Sequence, residues 1–204
     1  MRSGLTATVA SSILLLGFGL CPAAADSKKD NPPLAVEASG SMKILGFDKK
    51  TANDNGYDIR KDERGVEYSI LASTPKGTMT GARYIPGQEP ASGPEGISLL
   101  DTRYGDCGSS SLTGWGKNFS TAYAITNPWV GAAVNHTWRV AVSSSQGYQV
   151  YNLDGWAFSN SWQASRSISF RGWPYNGYVS NGTVYTSYGF VCGAMNPPDE
   201  WYGE

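Results

Sequence analysis

Tyr104-Gly-Asp-Cys-Gly-Ser-Ser-Ser111 and Tyr188-Gly-Phe-Val-Cys-Gly193 bracket the stretch that decides the fold of this chain of 204 residues. Between the two cysteines the sequence is short-stepped, alternating and rich in aromatic residues, with Gly, Asn and Ser at the breaks. Seven runs carry the pattern of strands: 97–104, 119–126, 137–143, 147–153, 156–162, 167–171 and 183–192. In Trp138-Arg-Val-Ala-Val142 the large apolar residues fall on one face and Arg139 on the other. Ser144-Ser-Gln-Gly147 suits a hairpin turn, and Asn181-Gly182 is a strong turn signal. Val184, Tyr188, Phe190 and Cys192 share parity, which predicts an inward-facing second cysteine. Strands at this spacing predict a mainly β protein, an antiparallel β-sandwich or barrel over 97–204.

The cysteine count supports a clasp. Cys21 lies in the amino-terminal segment, so Cys107 and Cys192 are the two that remain in a processed chain. Two cysteines in an exported protein pair by default. Their bridge closes a loop for which chain entropy gives roughly 4–5 kcal/mol.

Residues 1–25 have the layout of a secretory signal peptide: Arg2, an apolar run from Val9 to Leu20, and Ala23-Ala-Ala25 at the cleavage site. A lipoprotein reading would modify Cys21, but Leu20 stands where a small residue is wanted. Cleavage after Ala25 leaves a secreted, extracellular chain with no further membrane span. The full chain has 16 basic and 17 acidic residues. That balance lacks the basic excess that nucleic acid would require, so nucleic acid is not an expected partner.

Residues 26–41 are polar, with Pro32-Pro33, and read as a flexible leader. Residues 42–73 read as a small α+β hairpin unit. Met42-Lys-Ile-Leu-Gly-Phe47 suits a short strand, Asp48 caps a helical turn that Gly56 stops, and 57–61 and 66–70 alternate around a turn. Tyr57 and Ile59 are expected to share a face with Val66, Tyr68 and Ile70. Residues 74–96, with four prolines, read as a linker.

No motif brings catalytic groups together. Gly105-Asp-Cys-Gly108 invites comparison with the nucleophile loop of chymotrypsin-like proteases. The sole histidine, His136, follows the cysteine instead of preceding it, and Ser109 replaces the second glycine. His136 is expected at a solvated turn, with no partner for a triad or a multi-histidine metal site. Asp101, Asp106, Asp154, Asp199 and Glu200 match no glycosidase pattern, and Asp106 and Asp154 are expected to shape turns. Asn152 and Asp154 supply too few oxygens for calcium. No catalytic residue, metal or cofactor is assigned, and the enzyme question leans towards no. Asn118-Phe-Ser120, Asn135-His-Thr137 and Asn181-Gly-Thr183 fit the glycosylation pattern.

Seven tryptophans and 12 tyrosines are the strongest signal. Trp138, Trp156 and Trp162 sit in alternating runs and are expected in the core. Arg171-Gly-Trp-Pro-Tyr-Asn-Gly-Tyr178 is expected to leave the sheet at Pro174 and turn at Asn176-Gly177. Arg171, Trp173, Tyr175 and Tyr178 are therefore the predicted binding residues. Two readings of Trp173 stay open, a ligand-facing ring or a plug at one end of the fold.

The segment from Lys43-Ile-Leu-Gly-Phe-Asp48 through Asn55-Gly-Tyr-Asp-Ile-Arg60 to Gly65-Val-Glu-Tyr-Ser69 resembles one found in small secreted actinobacterial proteins of unknown function. The region from Gly105-Asp-Cys-Gly108 to Cys192 is similar to their aromatic-rich β end. The resemblance implies export and a β-fold, and it carries over no activity. The expected function is non-catalytic binding of a glycan or cell-surface protein. A secreted carbohydrate-active hydrolase and a structural surface component are the alternatives.

Overall fold

The computed structural model describes residues 38–88, 106–195 and 197–202. The signal segment, most of the leader, Ile97–Tyr104 and Asp101 lie outside the described residues. What is described is mainly β, in one large curled antiparallel sheet and one small sheet.

The amino-terminal strand β1 (Ala38–Phe47) runs into helix α1 (Lys49–Asp54). The Asp48 side chain accepts the Thr51 N–H at 2.7 Å and so caps the helix. Gly56, with φ +83°, follows the helix as expected of a stop residue. Strands β2 (Tyr57–Lys61), β3 (Glu67–Leu71) and β4 (Arg83–Tyr84) form the small sheet in that order. The expected 42–73 unit is thus divided, since β1 belongs to the large sheet.

The hairpin register also differs from expectation. Lys61 pairs with Glu67, not Val66, because the Asp62 carboxylate holds the N–H groups of both Arg64 and Val66 in the turn. One residue of slip exchanges the faces. Tyr68 and Ile70 therefore face the side of Arg60 and Asp58, and pack with Tyr84. Tyr57 and Ile59 face the opposite way, where Tyr57 meets Tyr188 with ring centroids 4.6 Å apart.

The remaining strands are β5 (Asp106–Trp115), β6 (Asn118–Ile125), β7 (Ala133–Ser144), β8 (Gly147–Asn152), β9 (Gly155–Trp156), β10 (Ser161–Ser167), β11 (Tyr175–Thr186), β12 (Phe190–Ala194) and β13 (Pro198–Trp201). With β1 they form a sheet in the order β10-β6-β5-β1-β12-β11-β7-β8; β13 also pairs with β11 and β9 with β7. Of the sandwich and barrel arrangements expected, the hydrogen-bonded path follows a single sheet curled as a half-barrel.

Its concave side holds the core. Phe119, Thr121, Tyr123 and Ile125 of β6, and His136, Trp138, Val140 and Val142 of β7, all point inward. Trp201 enters from β13. Its ring occupies the space a side chain at Gly114 would need, 1.9 Å from an ideal Cβ there. Cys107 is the extra residue of a bulge where the β1–β5 register shifts between Met42 and Lys43. It bridges to Cys192 on β12, and both sulfurs are fully buried. The small sheet is fastened to the large one by Arg83, whose guanidinium lies 4.1 Å from the Tyr188 ring and 4.8 Å from that of Trp129.

Two expected turns fail for one reason: glycine in a strand can mark close packing instead of a turn. Asn181-Gly182 lies inside β11, because an ideal Cβ on Gly182 would stand 2.7 Å from Ala194 and 3.1 Å from Trp138. Asn176-Gly177 also lies inside β11, with Gly177 against Trp201. The Gly- and Ser-rich run after Cys107 carries no apolar alternation, yet forms β5.

Candidate functional site

The four predicted binding residues do not converge. Because β11 starts at Tyr175, Tyr175 and Tyr178 lie three positions apart on a strand and point to opposite faces. Tyr175 is fully buried, and its hydroxyl donates to the Phe170 carbonyl at 2.8 Å. Trp173 is 39% exposed at the rim, edge-on to Tyr175 with centroids 4.6 Å apart. Arg171 is exposed, and its carbonyl accepts from the Ser144 hydroxyl. Of the four, Tyr178 alone stands on the outer face of the sheet, 45% exposed.

Strand register shows what surrounds it. Tyr178 lies opposite Ala141 of β7, and Ala141 opposite Val150 of β8. On the other side Tyr178 pairs with Pro198 of β13. The next row is Glu200, Asn176, Ser143 and Tyr148. Paired residues share a face, so Tyr178, Val150, Tyr148 and Pro198 form one outward apolar patch. Ala141 is fully buried although its side chain points outward. Tyr148 is 63% exposed. Beside the patch Arg139 pairs with Asn181 and Asn152.

The alternation Tyr148-Gln-Val150 is visible in the sequence. That this parity faces solvent depends on β7 presenting its other face to the core, which no local pattern states.

Three of the candidate carboxylates, Asp154, Asp199 and Glu200, are engaged. Asp154 accepts the Trp138 N–H at 2.7 Å and lies 3.7 Å from Arg139, holding the turn after β8 as the sequence suggested. Asp199 accepts the Gly114 N–H at 2.7 Å. Burial raises its pKa above the usual carboxylate range, against the pull of backbone N–H donors from Gly114 and Glu200. Glu200 accepts from the Tyr202 hydroxyl at 3.0 Å. Two depressions are described, one beside Ser110, Tyr123 and Trp162 and one beside Arg64 and Ile85. Together they contain a single carboxylate, Glu67, so neither offers the acid–base pair of a glycosidase.

His136 is not at a solvated turn. It lies within β7, 3% exposed. The Leu153 carbonyl, 3.1 Å from Nε2, can only accept, so Nε2 carries the proton. Nδ1 then accepts from the Tyr123 hydroxyl at 3.1 Å. Burial lowers the imidazole pKa, opposed by the Leu153 bond and by Asp154. Burial also pushes the Tyr123 hydroxyl up to about 12. Both groups are neutral at physiological pH, and Trp138 and Trp162 close over them. This cluster is core.

Of the tryptophans expected inside, Trp138 is fully buried and Trp162 half-buried, packed on the same cluster. Trp156 is 72% exposed. The reason is parity: Gly155 opposes inward-facing His136, so the next residue points outward. No family model, curated protein or solved structure matches the chain.

Proposed function

We propose that this is an exported, non-catalytic β-protein that binds an extracellular glycan on the outer face of β11, β7 and β8. The observation that carries the reading is the exposed row of Tyr178 and Val150, with Tyr148 beside it, on a hydrogen-bonded sheet. Aromatic rings stack on the C–H faces of sugar rings, and Asn152, Asn181 and Arg139 alongside offer hydrogen bonds to hydroxyl groups. Strand pairing fixes the backbone that carries the rings before a ligand arrives, which lowers the ordering cost of binding.

Two observations support export: the signal-like residues 1–25 and the Cys107–Cys192 bridge. Among the described residues no helix is long and apolar enough to cross a membrane. Engagement of Asp154, Asp199 and Glu200 by hydrogen bonds supports binding over hydrolysis.

Glycan-array screening of wild type against a Tyr148→Ala/Tyr178→Ala double variant tests the site. Glycan signals should fall about tenfold or more in the double variant, equivalent to ~1.4 kcal/mol. Unchanged signals would remove this face from consideration. Intact-mass analysis of secreted protein should give a chain starting at Asp26, and a lipid adduct on Cys21 would contradict the proposed processing.

A further inference from the structure

We infer that the binding face has two aromatic poles and takes a linear, uncharged glycan chain that spans both; this rests on the glycan reading above. The second pole follows from register. Beyond the Tyr178 row, β11 and β7 pair Asn181 with Arg139, Thr183 with Thr137, and Tyr185 with Asn135. Asn135 in turn pairs with Trp156 of β9. The intervening Val184 and His136 are buried inside, and an ideal Cβ on Gly155 would point at the His136 ring, 3.6 Å away. Tyr185, Asn135 and Trp156 therefore form a row on the same outer face as Tyr178.

The two poles are six residues apart on β7, from Ala141 to Asn135, or ~20 Å at 3.3–3.4 Å per residue. A disaccharide is too short to touch both, whereas a chain of several sugars reaches. Between the poles lie Asn181, Arg139, Asn152, Thr183 and Thr137, side chains suited to hydroxyl groups. The second pole is held in place. The segment after Trp156 is anchored by Ala157 N–H to the Val134 carbonyl at 3.0 Å, by Ala133 N–H to Asn160 Oδ1 at 2.9 Å, and by Ile125 N–H to the Asn160 carbonyl at 2.7 Å. It also carries Phe158, 96% exposed.

Charge selects the class of ligand. The sequence holds no Asp, Glu, Lys or Arg between Lys117 and Arg139, between Asp154 and Arg166, or between Arg171 and Asp199. On the face between the poles Arg139 lies 3.7 Å from Asp154, so its charge is already countered. The exposed Lys43 of β1 stands in the Thr183 row but two strands from β11, across Gly193 of β12. A polyanionic chain seated on β11, β7, β8 and β9 therefore finds no surplus cation on those strands, and an uncharged one gives up no ion hydration.

The test is calorimetric titration of the full chain with neutral glucan, mannan and xylan oligomers from disaccharide to octasaccharide, and with polygalacturonate. Two sites joined through one ligand act at high effective concentration, so affinity for at least one neutral series should rise about tenfold or more between di- and hexasaccharide. Trp156→Ala and Tyr178→Ala should each abolish that rise while leaving the melting temperature unchanged. Length-independent affinity, or a length effect that survives Trp156→Ala, would overturn the two-pole grip and leave the glycan reading standing. Tighter, salt-sensitive binding of polygalacturonate would overturn the uncharged class. Binding of no glycan, neutral or acidic, would instead remove the glycan reading itself.

Discussion

Strand β7 shows two faces of the same twelve residues doing opposite work. Its inward side chains, His136, Trp138, Val140 and Val142, are buried, and the polar atoms of the first two are all spoken for. Trp138 donates its indole N–H to Thr121 at 2.9 Å, and His136 is fixed between Tyr123 and Leu153. Its outward side chains, Asn135, Thr137, Arg139 and Ala141, run between two groups of exposed rings. The aromatics on the two sides are chemically alike. They differ in whether a second layer of chain covers them: the curled sheet closes over Trp138, and nothing in the described residues closes over Tyr148 or Trp156. Aromatic content therefore reports burial on one side and availability on the other.

The comparison can be broken most forcefully at Trp138. Trp138→Ala should cost about 3–5 kcal/mol in chemical denaturation, because it opens a cavity and removes the indole N–H that the Thr121 hydroxyl accepts, leaving that hydroxyl only its bond to the Ser111 carbonyl. A loss below about 1 kcal/mol would mean that the inner face is not the core. Replacing Cys107 and Cys192 together by alanine should cost about 2–4 kcal/mol by the same measurement, since the loop closed is long. In the native, unreduced protein, alkylation should label neither thiol.

Trp173 sits between the two classes, half covered and resting on Tyr175. Trp173→Ala should lower stability by about 1–2 kcal/mol, more than a free surface ring and less than a core plug. By contrast, Tyr148→Ala should change stability by no more than about 0.5 kcal/mol while weakening glycan binding. A larger loss of stability there would erase the distinction between the faces.

Acid sharpens the comparison from the inner side. Burial holds the folded His136 pKa below its ordinary 6.5, so in that range the unfolded chain binds more protons than the folded one. Stability from this residue is full above 6.5 and falls as the pH drops below it. Denaturation midpoints taken from about pH 8 down to about pH 5 should decline in wild type, and the decline should be shallower in His136→Phe. Asp199 acts in the opposite sense: burial raises its pKa above 3.8, so its contribution favours folding at lower pH and is lost as the pH rises through its folded pKa. An equal slope in both proteins would show that His136 is not the buried, neutral group described.

Much of this arrangement is legible in the sequence. The β class, the inward Cys192, the Asp48 cap, the strands 119–126 and 147–153, and the burial of Trp138 all follow from alternation and local turn chemistry. The misreadings cluster where a distant residue overrides a local signal. Gly182 is packed by Trp138 and Ala194, and Gly177 by Trp201, so both glycines stay in β11. His136 reads locally as a turn residue, and only β7 paired on both sides makes it core. The 171–178 segment reads locally as one surface, yet entry into β11 at Tyr175 sends Tyr175 and Tyr178 to opposite sides.

The sequence by itself determined which residues alternate, where the chain could be clasped, and that rings would matter. Period-two alternation and loop length are properties of neighbours along the chain, so one chain suffices to read them. Which parity faces inward, and which rows meet across β13, β11, β7, β8 and β9, was decided by the tertiary structure alone. Register and strand order join residues dozens of positions apart, as Tyr178 joins Val150 through Ala141, and a one-residue slip would send every one of those side chains to the other face.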